Sequence, residues 1–207
     1  MGPLRSTSTS SPPVTAPAPG TRTTVVGPVS APPPPAGAAD GHHYRDRIPT
    51  AALLSFRLGG TDGVAVEAAK WRGALEELGF GTRTVAGEGV ADEVLPGLAM
   101  AAAEPPTPGE VAHALSGADL VVVENLCSLP LNRRAAEVVA RVLAGRPAVL
   151  RHHDLPWQRP QFVGHPPPPT DPHWRHVTVN RLSGHQLASF GLASTTVYNS
   201  FDVDAVD

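Results

Sequence analysis

The run "DLVVVENL" at residues 119–126 limits the fold more than any other stretch of this chain. Its apolar side chains follow one another without alternation until Glu124. Successive side chains of a strand point to opposite faces, so such a strand must be covered on both sides. Continuous apolar strands of this kind belong to parallel sheets sandwiched between helices. "TAALLSF" (50–56) and "PAVLRHH" (147–153) have the same character, and "TRTVA" (82–86), "HVTVN" (176–180) and "STTVYN" (194–199) read as further strands.

Between these strands lie segments with helical spacing. Val64, Ala68, Trp71, Leu75 and Leu78 recur every three or four residues, which describes a helix with one buried face. Asp62 stands at its N-cap position and Gly79 at the residue just past its end. "GEVAHALSG" (109–117) and Asn132 to Ala144, closed by Gly145, read as two more helices. Ser183 and Gln186 have the spacing of a capping box for a short fourth helix that stops at Gly191. Strands alternating with helices predict an α/β domain, a Rossmann-like parallel sheet with helices on both faces.

The first forty residues are different. "STSTSSPPVTAPAPGTRTTVVGPVSAPPPPAGAAD" has no aromatic residue and almost no charge. Too little apolar surface is available there to offset the entropy of ordering the chain, which predicts a disordered tail over residues 1–45 and a folded domain over 46–207. A formal charge of -3 leaves no electrostatic footprint for nucleic acid, and one cysteine, Cys127, permits neither an intrachain disulfide nor a cysteine-rich zinc site. No H-x-x-x-H spacing suggests a metal, and none is expected. No secretory profile or apolar run of membrane-spanning length is present, so a cytoplasmic protein without a transmembrane segment is expected.

In a parallel α/β sheet, ligands bind beyond the carboxyl ends of the strands. The polar residues of this chain gather at those ends. Gly59 and Gly60 follow the first strand, Glu124 and Asn125 close another, His152, His153 and Asp154 a third, and Asn180 and Arg181 a fourth. Each has a plainer explanation: the glycines a tight turn, Glu124 and Asn125 a solvated strand end, "RHHDLPW" the entry to a surface loop. Neither a G-x-G-x-x-G fingerprint nor a P-loop is present, which speaks against a small Rossmann-type oxidoreductase. What remains is a helix N-terminus behind the glycines, with N–H groups that would favour an anion.

Five segments in order, "RLGGTDGVAVEAAKW", "ENLCSLPLN", "RHHDLPWQRPQF", "VTVNRLSGHQL" and "VYNSFDVD", make the chain resemble the N-terminal domain of family 4 glycosyltransferases. Those are retaining enzymes of GT-B architecture, two Rossmann-like domains facing each other across a cleft. The resemblance runs from about Ala51 to Asp204. It implies that Gly59 and Gly60, with Asp62 at the helix entrance, approach the donor diphosphate and the acceptor. It implies that His153 and Asp154 are the His–Asp pair at the cleft, where the histidine contacts the donor sugar. Glu124, Asn125, Asn180 and Arg181 match acceptor-side positions, and Asn199 and Asp202 match the N-x-x-D that closes the first domain. No cofactor or metal is implied; the partners are a nucleotide-sugar and an acceptor.

The family's second domain carries the basic pair and the Glu-x7-Glu segment that hold the donor. This chain reaches Asp207 where that domain would begin. The sequence therefore predicts an acceptor-side half of a glycosyltransferase: a truncated form, or a half-enzyme completed by a separate C-terminal domain. The alternative is a non-catalytic module that binds a carbohydrate or another small ligand.

Overall fold

A computed structural model describes residues 47–200, so the expectation of a disordered tail over residues 1–45 lies outside the described residues. Eleven principal elements follow one another. They are β1 (Thr50–Leu58), α1 (Gly63–Glu77), β2 (Gly81–Gly89), β3 (Glu93–Val94), α2 (Pro108–Ala114), β4 (Leu120–Glu124), α3 (Arg133–Leu143), β5 (Ala148–His152), β6 (Trp174–Thr178), α4 (Arg181–Ser189) and β7 (Ser194–Thr196).

The strands form one seven-stranded sheet in the order β3-β2-β1-β4-β5-β6-β7. Every neighbouring pair is parallel. The chain thus winds outward from β1 through β2 to β3, crosses back, and winds the other way from β4. The direction reverses between β1 and β4, the topological switch point where such sheets form a crevice.

Alternation along the strands divides the core in two. Ala52, Leu54 and Phe56 of β1 join Val121 and Val123 of β4 in a cluster with Val111 of α2 and Val138, Val139 and Leu143 of α3. Ala51, Leu53 and Val122 face the other way, against Ala68 and Leu75 of α1. Helices therefore cover both faces, as the unbroken apolar strands require. α4 packs against β6 and β7.

The first helix starts as its sequence predicts. The Asp62 carboxylate accepts from the backbone N–H groups of Val64 and Ala65, and Gly79 turns the chain with φ +87° past the end. The fourth starts otherwise. Its N-cap is Asn180, whose side-chain oxygen accepts from the Ser183 N–H, so Ser183 and Gln186 form no capping box. Both instead receive the Gln158 side-chain amide, which anchors the loop after β5. Taking Asn180 into the helix cap also ends β6 at Thr178, two residues earlier than the alternating pattern predicts, while Trp174 extends the strand at its start. A true capping box stands at α2, where Thr107 and Glu110 exchange hydrogen bonds around Pro108.

Candidate functional site

Because the sheet is parallel, the segments following β1, β4, β5, β6 and β7 emerge on one edge. β1 and β5 stand two strands apart, roughly 10 Å at ordinary strand spacing. Every described residue that the sequence singles out lies on this edge, but the edge is organised differently from what the motifs suggest.

At the end of β1, Gly59 has φ +74°, and a Cβ added to it would lie 2.5 Å from the Val90 Cβ and 2.9 Å from the Val90 carbonyl oxygen. The close approach that requires a glycine here is therefore made by the chain's own backbone. Gly60 has no such constraint: its nearest neighbour would be the tip of Asp62, at 3.1 Å. Gly59→Ala should cost about 2 kcal/mol through clash and left-handed backbone, whereas Gly60→Ala should stay within about 0.5 kcal/mol of the parent. Urea denaturation of the two variants checks this, and equal costs would contradict it.

The expectation of free N–H groups behind these glycines is corrected. Asp62 Oδ1 stands 3.2 Å from both the Val64 and Ala65 nitrogens, and Arg57 lies 3.1 Å from Oδ2. Burial alone would raise the Asp62 carboxyl; the Ala65 N–H and the Arg57 guanidinium outweigh it and hold the group below the usual carboxylate range. A resident carboxylate at the mouth of α1 opposes a phosphate there through like-charge repulsion.

The centre of the edge is a buried charge network that the sequence reading did not identify. Arg151, the penultimate residue of β5, is fully buried. Its Nη1 lies 3.3 and 3.4 Å from the two carboxylate oxygens of Glu124, the last residue of β4, which is also fully buried. Its Nη2 lies 2.9 Å from Glu67 on α1 and 3.0 Å from the Asn199 side-chain oxygen. The Trp71 ring centroid is 4.6 Å from the guanidinium carbon, a cation–π contact. Glu67 also receives Lys70 at 2.8 Å. Burial pushes the Glu67 carboxyl up, but Lys70 and Arg151 more than compensate and hold it low.

His153 sits on the same side of the chain as Arg151, two residues on, and its Nε2 lies 2.8 Å from Glu124 Oε2. Glu124, not Asp154, holds this ring. The Asp154 carboxylate turns outward to Arg159, at 2.8 Å. Asn125 ties the two strand ends together. It adopts φ +57°, a left-handed conformation that asparagine tolerates, and its side-chain oxygen accepts from the backbone N–H groups of His153 and Asp154 at 3.2 and 3.3 Å. Asn180 serves as the α4 cap, and Arg181 is exposed at the start of that helix. Asp202 of the N-x-x-D lies outside the described residues.

His152 points to the opposite face, as strand alternation requires, and is fully buried. Its Nδ1 lies 2.6 Å from Ser128 Oγ and its Nε2 2.9 Å from His176 Nδ1, with the two rings stacked at 5.2 Å. The arrangement resembles a serine nucleophile with two histidines behind it. The backbone N–H groups of Ser128 and Leu129, however, both donate to the Asn125 carbonyl, so neither is available to an oxyanion. Beside it, Cys127 is buried and its thiol is pushed up to about 12, which makes it unreactive.

A hollow of 570 Å³ is lined by Gly59, Gly60, Val66, Arg72, Thr84 and Val90. A second, of 220 Å³, lies between α3 and the proline run 166–169, with Ser128 in its wall. His153 lines neither. Among the described residues no three or more His, Cys, Asp or Glu side chains group as a metal site, and no helix is long and apolar enough to cross a membrane. The chain matches no family model, no curated protein and no solved structure.

Proposed function

We propose that this chain is the acceptor-side domain of a nucleotide-sugar-dependent glycosyltransferase, with His153 the side chain that meets the sugar. The observation that carries this reading is the rigid seating of His153 at the switch-point edge. Its ring is held by a carboxylate that is itself fixed by a buried guanidinium, and its backbone is pinned by Asn125. A polar side chain positioned in advance on strand ends can orient a hydroxyl-rich ligand at little entropic cost.

The chemistry divides unevenly. Retaining transfer develops negative charge on the leaving diphosphate, which must be met by donors already in place. The Asp62 carboxylate makes the mouth of α1 unsuitable for that task, so in this reading a second domain supplies the cations and the present domain orients sugar hydroxyls. A non-catalytic carbohydrate-binding module shares the second half of this account, and the same Asp62 observation favours it over a phosphate-binding one.

The test joins this chain to the donor-side domain of a GT-B enzyme and follows transfer from UDP-, GDP- and ADP-sugars to polyol acceptors. His153→Ala should lower kcat/KM by about 30- to 1,000-fold, or about 2–4 kcal/mol. Turnover unchanged in His153→Ala would remove the histidine from the reaction. Sugar binding without transfer in every pairing would favour the binding module.

A further inference from the structure

We infer that Glu124 and Arg151 are positioning residues that fix His153 in a single tautomer, with the proton on Nε2 and Nδ1 left as a hydrogen-bond acceptor. The assignment of the ligand rests on the reading above, that His153 meets the substrate; the tautomer itself does not.

Charge balance and bonding geometry lead to the same tautomer. Arg151 is permanently cationic and wholly buried, so its counter-charges must stay with it. The groups facing it are Glu124 from β4, Glu67 and the Trp71 ring from α1, and the neutral Asn199 side chain beyond β7. Lys70, on α1, also pairs with Glu67. Both Glu124 oxygens lie against the Arg151 Nη1, so Glu124 is the accepting carboxylate of a buried ion pair.

A carboxylate only accepts hydrogen bonds. The His153 Nε2 at 2.8 Å must therefore carry the hydrogen, and a neutral ring then has a bare Nδ1. No hydrogen bond to Nδ1 is formed among the described residues, and the side chain keeps 8% of its surface open. An acceptor nitrogen on a fixed ring binds groups that donate. Sugar hydroxyls donate; the doubly esterified diphosphate of a nucleotide-sugar has no P–OH and does not. The substrate group at His153 is therefore a hydroxyl, and the diphosphate belongs elsewhere.

The full chain, labelled with ¹⁵N-histidine, gives the test by long-range ¹H–¹⁵N NMR at pH 8, with His153→Ala used to assign the ring. The parent should show a protonated Nε2 and a bare Nδ1. Glu124→Gln, which can donate as well as accept, and Arg151→Met should both shift His153 toward the tautomer mixture of a free imidazole. Arg151→Lys should shift it less than Arg151→Met. An Nδ1–H tautomer or an imidazolium in the parent overturns the proposal, as does an unchanged tautomer in folded Glu124→Gln. If Arg151→Met does not fold, the parent and Glu124→Gln decide.

Methyl α-glucoside should then move the Nδ1 resonance and dimethyl phosphate, an anion without a P–OH, should not. The reverse result overturns the ligand assignment. A correct tautomer with a His153 ring that answers to no sugar would count against the glycosyltransferase reading alone.

Discussion

Lowering the pH from 7 to 4 is expected to remove on the order of 3 kcal/mol of folding stability through His152 alone. Burial, with smaller contributions from His176 and His153 nearby, pushes its imidazole down from 6.5 to about 3. The unfolded chain takes up this proton as the pH falls through 6.5, whereas the folded chain refuses it until about 3. Between those limits the unfolded state binds more protons, so stability is complete above 6.5 and is lost as the pH drops. His176, also lowered by burial, acts in the same direction.

The depressed carboxylates Asp62 and Glu67 contribute in a different window. Their stabilisation is present above the ordinary carboxylate range near 4 and is lost only below it. The histidine effect should therefore appear first, as a slope of about 1.4 kcal/mol per pH unit between 6 and 4. Urea titrations across that range measure it. His152→Gln keeps a polar side chain between Ser128 and His176 without the titration, and it should flatten most of the slope. A parent protein equally stable at pH 6.5 and pH 4.5 would contradict the argument.

The same strand shows how far a sequence reading reaches. Three of the seven residues in "PAVLRHH" are basic or imidazole side chains in a run otherwise built for burial. Strand alternation alone separates His152 from His153, and the structure places them on opposite faces as expected. The parallel sheet was legible from "LVVV" together with the helices between the strands, because an unbroken apolar strand must be covered on both faces. The Asp62 cap and the turns at Gly79 and Gly145 were legible because a cap depends on neighbours within a few residues. Arg151 was not. Its partners Glu67 and Asn199 lie 84 and 48 positions away along the chain, and no local pattern distinguishes a buried guanidinium from an exposed one. The substitution of Asn180 for Ser183 as the α4 cap was missed for a smaller reason. Both residues cap helices well, and only the end of β6 decides between them. The two-residue strand β3 has too few side chains to show a period.

Arg151→Met should be among the most destabilising single substitutions in the domain, costing about 3–5 kcal/mol. The methionine would fill much of the volume under Trp71, so packing is not the main loss. The cost comes from leaving Glu124, wholly buried, and Glu67, almost so, without the cation between them. Neutralising the stranded acids should then recover part of the loss: Arg151→Met with Glu67→Gln and Glu124→Gln should be more stable than Arg151→Met alone. Additivity fails here because all three side chains belong to one network. At about 2–4 °C per kcal/mol for a domain of this size, the single variant should melt on the order of 10 °C lower, a shift easily followed by circular dichroism. A single variant within 1 °C of the parent would mean that the network is replaceable by apolar packing. A triple variant less stable than the single one would mean that the carboxylates contribute through bonds other than those to Arg151. The expected order, parent above triple above single, follows only if the guanidinium is what makes two buried carboxylates tolerable beside His153.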